Sequence, residues 1–248
     1  YLIFRGRLAW PGMGGACVSG IIGILSHGVW LGCVFFSLKF GVPAGIVALV
    51  VALQPLATGA LSGPVTGERT HWRQWAGLLT GFAGVAVAVL ARTDFSRADS
   101  MLAYALPFGS ALAITVASLI DRRRELTADT GRVPIDLSLF YQALGTVLAV
   151  ALPALLLEGL ATRWTPVFTG VMLWLVVAVS LVAYSMMWIL VARIDATRVA
   201  SLFYFGPPVT MVMAWIAFGD RVLATDLIGL LIVAAGVLLS QKGDRPET

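Results

Sequence analysis

Long apolar stretches dominate the chain, and charged residues are confined to the short segments between them. Eight stretches contain no Asp, Glu, Lys or Arg: residues 8–38, 40–67, 74–91, 100–120, 137–157, 164–192, 199–219 and 227–241. A helix needs about 20 residues to cross the hydrocarbon core of a bilayer. Seven stretches reach or nearly reach that length, and the last reaches it if Asp226 lies at the interface. No alternation of apolar and polar positions indicates a barrel, so the pattern predicts an all-α polytopic membrane protein.

The composition agrees with this pattern. The chain is 59% hydrophobic and 12% charged, with a mean hydropathy of +0.91, whereas soluble domains carry about 25% charged residues. The lipid bilayer is therefore an expected partner. The predicted helices lie at about 11–38, 44–66, 74–91, 100–120, 137–157, 166–192, 197–219 and 223–241.

The basic residues are distributed unevenly between alternate connections. Of the 17 Lys and Arg, twelve lie in segments 4–7, 67–73, 121–136 and 193–198 and in the C-terminus, and five lie on the opposite side. This bias follows the positive-inside rule and places the first group, including the C-terminus, in the cytoplasm. The net charge of +4 thus reflects membrane topology, and we expect no nucleic-acid partner.

Residues 47–89 have a counterpart near the end of the chain. A shift of 152 positions aligns Pro55 with Pro207, Gly67 with Gly219, Glu68 with Asp220, Arg69 with Arg221, Gly77 with Gly229 and Gly84 with Gly236. The proline-containing helices are the second and the seventh, so the repeat spans five helices, and an odd number gives the two halves opposite orientations. Inverted repeats of this kind are typical of secondary transporters. The sequence predicts two inverted five-helix repeats, over residues 1–92 and 100–242, with the first two helices of the first repeat absent from this chain.

These residues also carry a family resemblance. The pattern P-x(12)-E-R from Pro55 to Arg69, with Gly77 nine residues after Glu68 and a GxxxxxxGV motif from Gly77, resembles the EamA repeat of the drug/metabolite transporter superfamily. The segment ASLIDRRR at 117–124 is similar to the end of the family's sixth helix, whereas Asp220 replaces the family's usual Glu. The resemblance implies a ten-helix transporter fold and an exporter or permease of the bacterial inner membrane, similar to bacterial amino-acid and metabolite exporters, with both termini cytoplasmic.

Polar side chains inside the predicted spans are the first candidates for a substrate site. His27 is the only ionisable side chain deep in a predicted span, and such residues are functional candidates. Three roles are open to it: a hydrogen bond to substrate, proton coupling, or a bridge between two helices. Gln54 lies in the middle of its helix beside Pro55, where the missing backbone donor exposes a carbonyl one turn back. It either contacts substrate or bonds to a neighbouring helix.

Aromatic residues supply the remaining candidates. Tyr184 and Trp188 share a helix face at i+4, Trp30 lies in the outer part of its helix, and Tyr204 precedes a pair of prolines. Packing is the alternative for each of them, although buried Tyr and Trp need hydrogen-bond partners. The predicted substrate-binding set is His27, Trp30, Gln54, Tyr184, Trp188 and Tyr204.

A second set of residues suits bending and gating. Pro55, Pro207 and Pro208 are expected to kink their helices towards a shared cavity. Glu68 and Asp220 lie at helix ends on opposite membrane faces, where each either caps the following helix or pairs with basic neighbours. We expect structural or gating roles for these two carboxylates.

The favoured function is secondary transport of a small-molecule substrate by alternating access between the two repeats. The predicted spans offer no Lys or Arg at depth to pair with phosphate, which favours a neutral, zwitterionic or aromatic metabolite such as an amino acid. A drug-like cation or a sugar derivative is the alternative substrate. An intramembrane enzyme is less favoured, because the chain has no Ser–His motif and no His/Glu cluster for a metal. No cofactor or metal is predicted, and the sequence does not indicate the oligomeric state.

Overall fold

The computed structural model describes residues 9–91, 101–127, 133–158, 162–206, 209, 213, 215, 216 and 223–241. Within this part of the chain all regular structure is helical. Seven helical segments are long and apolar enough to cross a membrane: Gly12–Lys39, Ile46–Thr66, Trp72–Leu90, Ala103–Thr127, Ile135–Leu156, Pro166–Arg193 and Ala224–Gln241. The prediction of an all-α polytopic membrane protein is confirmed. The predicted helix at 197–219 lies largely outside the described residues.

The first two spans are both interrupted. The first consists of α1 (Gly12–Gly23), a π-helical stretch (Ile24–Val29) and α2 (Trp30–Lys39). The second is divided into α3 (Ala44–Val51) and α4 (Gln54–Thr66), with the break directly before Gln54 and Pro55. Proline has no backbone N–H to continue the ladder of the preceding turn, so the interruption lies where the sequence predicts it.

The short turn after α4 reverses the chain. It begins at Gly67, whose φ of 78° lies in the left-handed region that glycine adopts without strain. Helix α5 (Trp72–Leu90) then starts after His71. The backbone N–H of His71 donates to Gln74 Oε1 at 2.8 Å, which satisfies a donor that helix starts otherwise leave unpaired.

Helix α6 is longer than the sequence predicts. A 3₁₀ turn (Met101–Ala105) leads into α6 (Leu106–Thr127), which continues through seven residues that were expected to form a polar loop. Asp121 and Arg124 form an ion pair at i,i+3 on this extension, and Arg, Glu and Leu are good helix formers. The charged segment therefore extends the helix instead of ending it.

The remaining helices complete the bundle. They are α7 (Ile135–Glu158), α8 (Pro166–Trp174), a π-helical stretch (Leu175–Ala183), α9 (Tyr184–Arg193), α10 (Ala196–Leu202), a 3₁₀ turn (Phe203–Phe205) and α11 (Ala224–Gln241). Thr165 Oγ1 accepts from Phe168 N at 3.2 Å and caps α8. Asp195 Oδ1 accepts from Arg198 N at 2.8 Å and caps α10. Such side-chain caps fix where each helix begins.

Helices α5 and α11 pack through reciprocal glycine contacts. A Cβ atom built on Gly77 would lie 2.6 Å from Gly236 O, and one built on Gly236 would lie 2.7 Å from Gly77 O. A Cβ atom built on Gly84 would lie 2.8 Å from Gly229 O, and one built on Gly229 would lie 2.8 Å from Gly84 O. Residue numbers rise along one helix as they fall along the other, so α5 and α11 are antiparallel. Glycines allow this close backbone approach, which stabilises helix pairs in lipid.

Helices α1 and α7 pack in the same manner. A Cβ atom built on Gly145 would lie 2.7 Å from Gly20 Cα, and one built on Gly23 would overlap the backbone of Gln142. The contact brings α7 against the end of α1, four residues before His27.

Candidate substrate site

Four of the predicted substrate-binding residues lie together. His27, Trp30, Tyr184 and Trp188 form an aromatic cluster between the first span and α9. The rings of His27 and Tyr184 are 4.2 Å apart between centroids and inclined by 60°. Trp188 is 3% exposed and shares a buried core with Tyr184, against which Trp30 packs. The aromatic cluster thus joins one helix from each predicted repeat.

The π-helical stretch around His27 positions the cluster. Tyr184 Oη donates to the backbone carbonyl of Ser26 at 3.0 Å, while Ser26 Oγ donates to Ile22 O at 2.7 Å. A π stretch shifts carbonyls out of the regular i→i−4 ladder, which leaves the Ser26 carbonyl open to a second helix. Tyr184 itself directly follows the other π stretch. The apolar sequence gives no signal for either stretch.

The aromatic cluster contains polar atoms without partners. The indole Nε1 atoms of Trp30 and Trp188 are buried and have no hydrogen-bond partner among the described residues. An indole nitrogen is a donor only, and a buried donor left unpaired costs roughly 1–3 kcal/mol. Both atoms are available to a bound group that accepts hydrogen bonds.

Gln54 lies apart from the aromatic cluster, between α4 and α6. Its side chain is 2% exposed, and its Nε2 has no partner among the described residues. Its backbone carbonyl accepts from Thr58 Oγ1 at 2.9 Å and from Thr115 Oγ1 at 3.4 Å. The interhelical bond at this position is therefore made by the backbone, and the side-chain amide nitrogen stays open.

Tyr204 belongs to a different buried core. It packs with Leu78, Val85, Val233 and Val237, and a Cβ atom on Gly81 would come within 2.6 Å of its ring. Its hydroxyl has no hydrogen-bond partner among the described residues. The structure therefore places Tyr204 with α5 and α11, away from the cluster that contains His27.

Glu68 pairs with a basic residue of the other predicted repeat. Arg122 Nε donates to Glu68 Oε1 at 2.8 Å, and a second guanidinium nitrogen of Arg122 bonds to the same oxygen. The remaining nitrogen donates to Val191 O at 3.2 Å and to Ala192 O at 3.3 Å. Of the two alternatives that the sequence leaves for Glu68, the structure shows pairing. Pro207, Pro208 and Asp220 lie outside the described residues.

Further polar contacts join the same end of the bundle. Asp195 Oδ1 accepts from Gln74 Nε2 at 3.4 Å, and Thr70 and Thr197 lie 3.3 Å apart between hydroxyl oxygens. Burial raises the pKa of Asp195, although the backbone N–H and the charge of Arg198 oppose the shift. These polar contacts between the two predicted repeats lie where the charge distribution predicts the cytoplasm.

One polar residue near the aromatic cluster is absent from the predicted set. Gln142 on α7 is 1% exposed, and its Oε1 has no hydrogen-bond partner among the described residues. The backbone of Gln142 lies against Gly23, one turn before His27 in the first span. The criterion that selects Gln54, an amide inside a charge-free stretch, selects Gln142 equally. In the described part of the chain, His, Cys, Asp and Glu form no group that could hold a metal ion.

Comparison with known proteins agrees with this architecture. Residues 2–90 match the family model described as the EamA-like transporter family. A Salmonella typhimurium protein named "Probable amino-acid metabolite efflux pump" is 26% identical over 219 residues, which cover 85% of this chain and 72% of that protein. An Escherichia coli protein of the same name is 24% identical over 217 residues, with the same coverage of 85% and 72%.

A third relative and a solved structure also match. A Streptantibioticus cattleyicolor protein named "Probable terminal-alkyne amino-acid exporter" is 26% identical over 208 residues, covering 81% of this chain and 65% of that protein. A crystal structure at 23% identity superposes with a TM-score of 0.75 and covers 96% of this chain and 80% of that chain. The latter shows that the fold is shared. The resemblance to the EamA repeat predicted from the sequence is confirmed.

Proposed function

We propose that this protein is a secondary transporter that exports small neutral, zwitterionic or aromatic metabolites such as amino acids, because residues 2–90 match the EamA-like transporter family. The printed names of two relatives, amino-acid metabolite efflux pumps, support the substrate class. The family and the names of the relatives indicate transport rather than catalysis.

The observation that carries the proposal is the aromatic cluster with its open indole donors. Trp30 and Trp188 present buried N–H groups without partners among the described residues beside the rings of His27 and Tyr184, which pack edge to face. Aromatic faces suit an apolar or aromatic substrate side chain, and indole donors suit a carboxylate. The described residues of the cluster include no carboxylate to balance a cationic drug and no Lys or Arg to bind a phosphorylated sugar.

The mechanism we propose is alternating access between two inverted repeats. Two features support it. In the antiparallel pair α5 and α11, Gly77 contacts Gly236 and Gly84 contacts Gly229. The shift of 152 positions aligns Gly77 with Gly229 and Gly84 with Gly236, so each glycine contacts the counterpart of the other. A two-fold axis between inverted repeats produces this reciprocity. In addition, the second span is broken beside Pro55, which supplies a bending point.

We propose that the Glu68–Arg122 ion pair closes the transporter towards one face of the membrane. It ties the turn after α4 to the ends of α6 and α9, so opening towards that side must separate these groups. The distribution of Lys and Arg supports the proposal that this side and the C-terminus face the cytoplasm, with the protein in the bacterial inner membrane.

Transport by reconstituted protein tests the proposal. Proteoliposomes are loaded with a panel of radiolabelled amino acids, and efflux is compared with that of protein-free vesicles. We expect efflux of at least one amino acid, and a reduced rate for the variants His27→Ala and Gln54→Ala. Efflux of none of the panel would overturn the substrate class. Unchanged rates in both variants would remove these two residues from the site.

A further inference from the structure

We propose that Gln142 is a specificity-determining residue that binds the ammonium group of a zwitterionic substrate through its Oε1 atom. The inference rests on the proposed function, since it assigns the second charged end of the substrate to a residue of the same site. It begins with the position of Gln142: the residue is 1% exposed and lies inside the membrane span Ile135–Leu156. An unpaired acceptor at that depth has no water to bond.

A chain of hydrogen bonds orients the Gln142 amide. Arg124 Nη1 donates to Ser19 Oγ at 3.0 Å, and Arg124 Nη2 lies 3.4 Å from Ser138 Oγ. Arginine offers donors only, so both hydroxyls act as acceptors towards it. Ser138 Oγ also accepts from Gln142 Nε2 at 3.3 Å. The amide nitrogen is thereby turned towards Ser138, and the amide oxygen is turned away from it.

The side of α7 that carries Gln142 packs beside the aromatic cluster. The backbone of Gln142 lies against Gly23, one turn before His27, and the ring of His27 packs on Tyr184. Leu139, one turn before Gln142 on α7, packs against the core of Tyr184 and Trp188. Aromatic faces attract an ammonium ion through cation–π interactions. An amide oxygen adds directional acceptance without a formal charge, so it stabilises an ammonium group that carries its own carboxylate.

The chemistry of the open atoms matches both ends of one molecule. The indole donors of Trp30 and Trp188 are complementary to a carboxylate, and the Gln142 acceptor is complementary to an ammonium group. Neither the indole donors nor the amide acceptor carries a formal charge. A zwitterion, which has no net charge, therefore suits these groups better than a simple cation or anion does. The structure thus indicates a site that requires the amino group as well as the carboxylate.

Binding of three related probes to the purified protein tests the inference. Phenylalanine carries both charged groups, 3-phenylpropanoate lacks the amino group, and phenethylamine lacks the carboxylate; each is titrated by calorimetry in lipid nanodiscs. In Gln142→Leu we expect affinity for phenylalanine to fall by roughly 10- to 100-fold, the range of one charge-assisted hydrogen bond. Affinity for 3-phenylpropanoate should stay unchanged. In Gln142→Glu the affinity for phenethylamine should rise.

A matched control separates recognition from packing. Thr146 lies one turn further along α7, and its hydroxyl donates to the Gln142 carbonyl within the helix at 2.9 Å, so Thr146→Val should leave all three affinities unchanged. Equal losses for phenylalanine and 3-phenylpropanoate in Gln142→Leu, or no phenylalanine binding by the wild type, would overturn the inference. If phenylalanine binds in a Gln142-dependent manner but no amino acid is exported by the proteoliposomes, the proposed transport function fails while this assignment stands.

Discussion

The guanidinium group of Arg122 bonds to Glu68 and to the last turn of α9 at the same time. Its Nε donates to Glu68 Oε1 at 2.8 Å, and its Nη1 donates to Val191 O at 3.2 Å. The side chains of Arg122 and Glu68 are only 11% and 22% exposed, so solvent screens their pairing weakly. One residue thus connects three separate segments of the chain.

Removing the charge of Glu68 should destabilise the protein. In Glu68→Gln the partly buried Arg122 loses its ionised partner, and we expect the free energy of unfolding to fall by about 1–3 kcal/mol. Denaturant titration in mixed micelles measures this change. The exchanged pair Glu68→Arg with Arg122→Glu should recover part of the loss. Arg123→Gln removes an exposed neighbouring charge and serves as control; an equal effect there would show that net charge, and not the pair, is responsible.

The glycines between α5 and α11 should not tolerate alanine. A methyl group on Gly84 would approach Gly229 O to 2.8 Å and Val233 N to 2.7 Å, and backbone atoms cannot move aside as a side chain can. We expect Gly84→Ala to lower the free energy of unfolding by about 1–3 kcal/mol through overpacking.

Gly32 provides the matched control for this prediction. It also lies within a membrane-spanning helix, α2, but a Cβ atom there meets nothing within 4 Å. Gly32→Ala should therefore be neutral or should stabilise the protein by about 0.4–1 kcal/mol, since alanine reduces the entropy of the unfolded chain. Similar losses in Gly32→Ala and Gly84→Ala would contradict the close packing of the two helices.

The spans could be predicted because the bilayer imposes their length. A charge-free stretch of about 20 residues has few alternatives to a membrane helix, and seven spans lie where the sequence places them. The predicted end of α6 at residue 120 was wrong, since the helix continues to Thr127. Charged residues end a membrane span but do not by themselves end a helix. The two π stretches could not be predicted, since nothing in their apolar sequences distinguishes them from regular helix.

The candidate site could be predicted only in part. Tyr184 and Trp188 share a face because i and i+4 positions do so on any helix, which requires no tertiary information. Their contact with His27 depends on how the first span and α9 pack. Tyr204 shows the limit of this reasoning: the same residue type at a similar depth belongs to a different core, and its surroundings are set by Gly81 on another helix.

The stability of the protein should depend on pH through Asp195. Burial favours the neutral carboxyl, so the folded-state pKa lies above the ordinary value of 3.8. Between the two pKa values the folded protein binds a proton that the unfolded chain does not. The contribution of Asp195 to stability is therefore greatest below its unfolded pKa and declines as the pH rises through its folded pKa.

The variant Asp195→Asn isolates this effect. Asparagine is as good an N-cap as aspartate but does not titrate. We expect the unfolding free energy of the wild type, relative to Asp195→Asn, to decrease as the pH rises above the ordinary carboxyl value of 3.8, as measured by denaturant titration at each pH. A difference that is constant or rises with pH would show that Arg198 and the cap, and not burial, control the ionisation of this carboxyl.

The hydroxyl of Tyr184 should contribute to stability through the carbonyl that the π stretch exposes. In Tyr184→Phe the Ser26 carbonyl loses its interhelical donor at 3.0 Å, while the ring that packs on His27 is retained. We expect a loss of about 0.5–1.5 kcal/mol in the same denaturant titration. Tyr141→Phe removes a hydroxyl bonded to Ala9 O at 3.3 Å in an exposed position, where water replaces it, and should have little effect. Equal losses in the two variants would mean that the Ser26 carbonyl finds another partner, and that the π stretch does not depend on Tyr184.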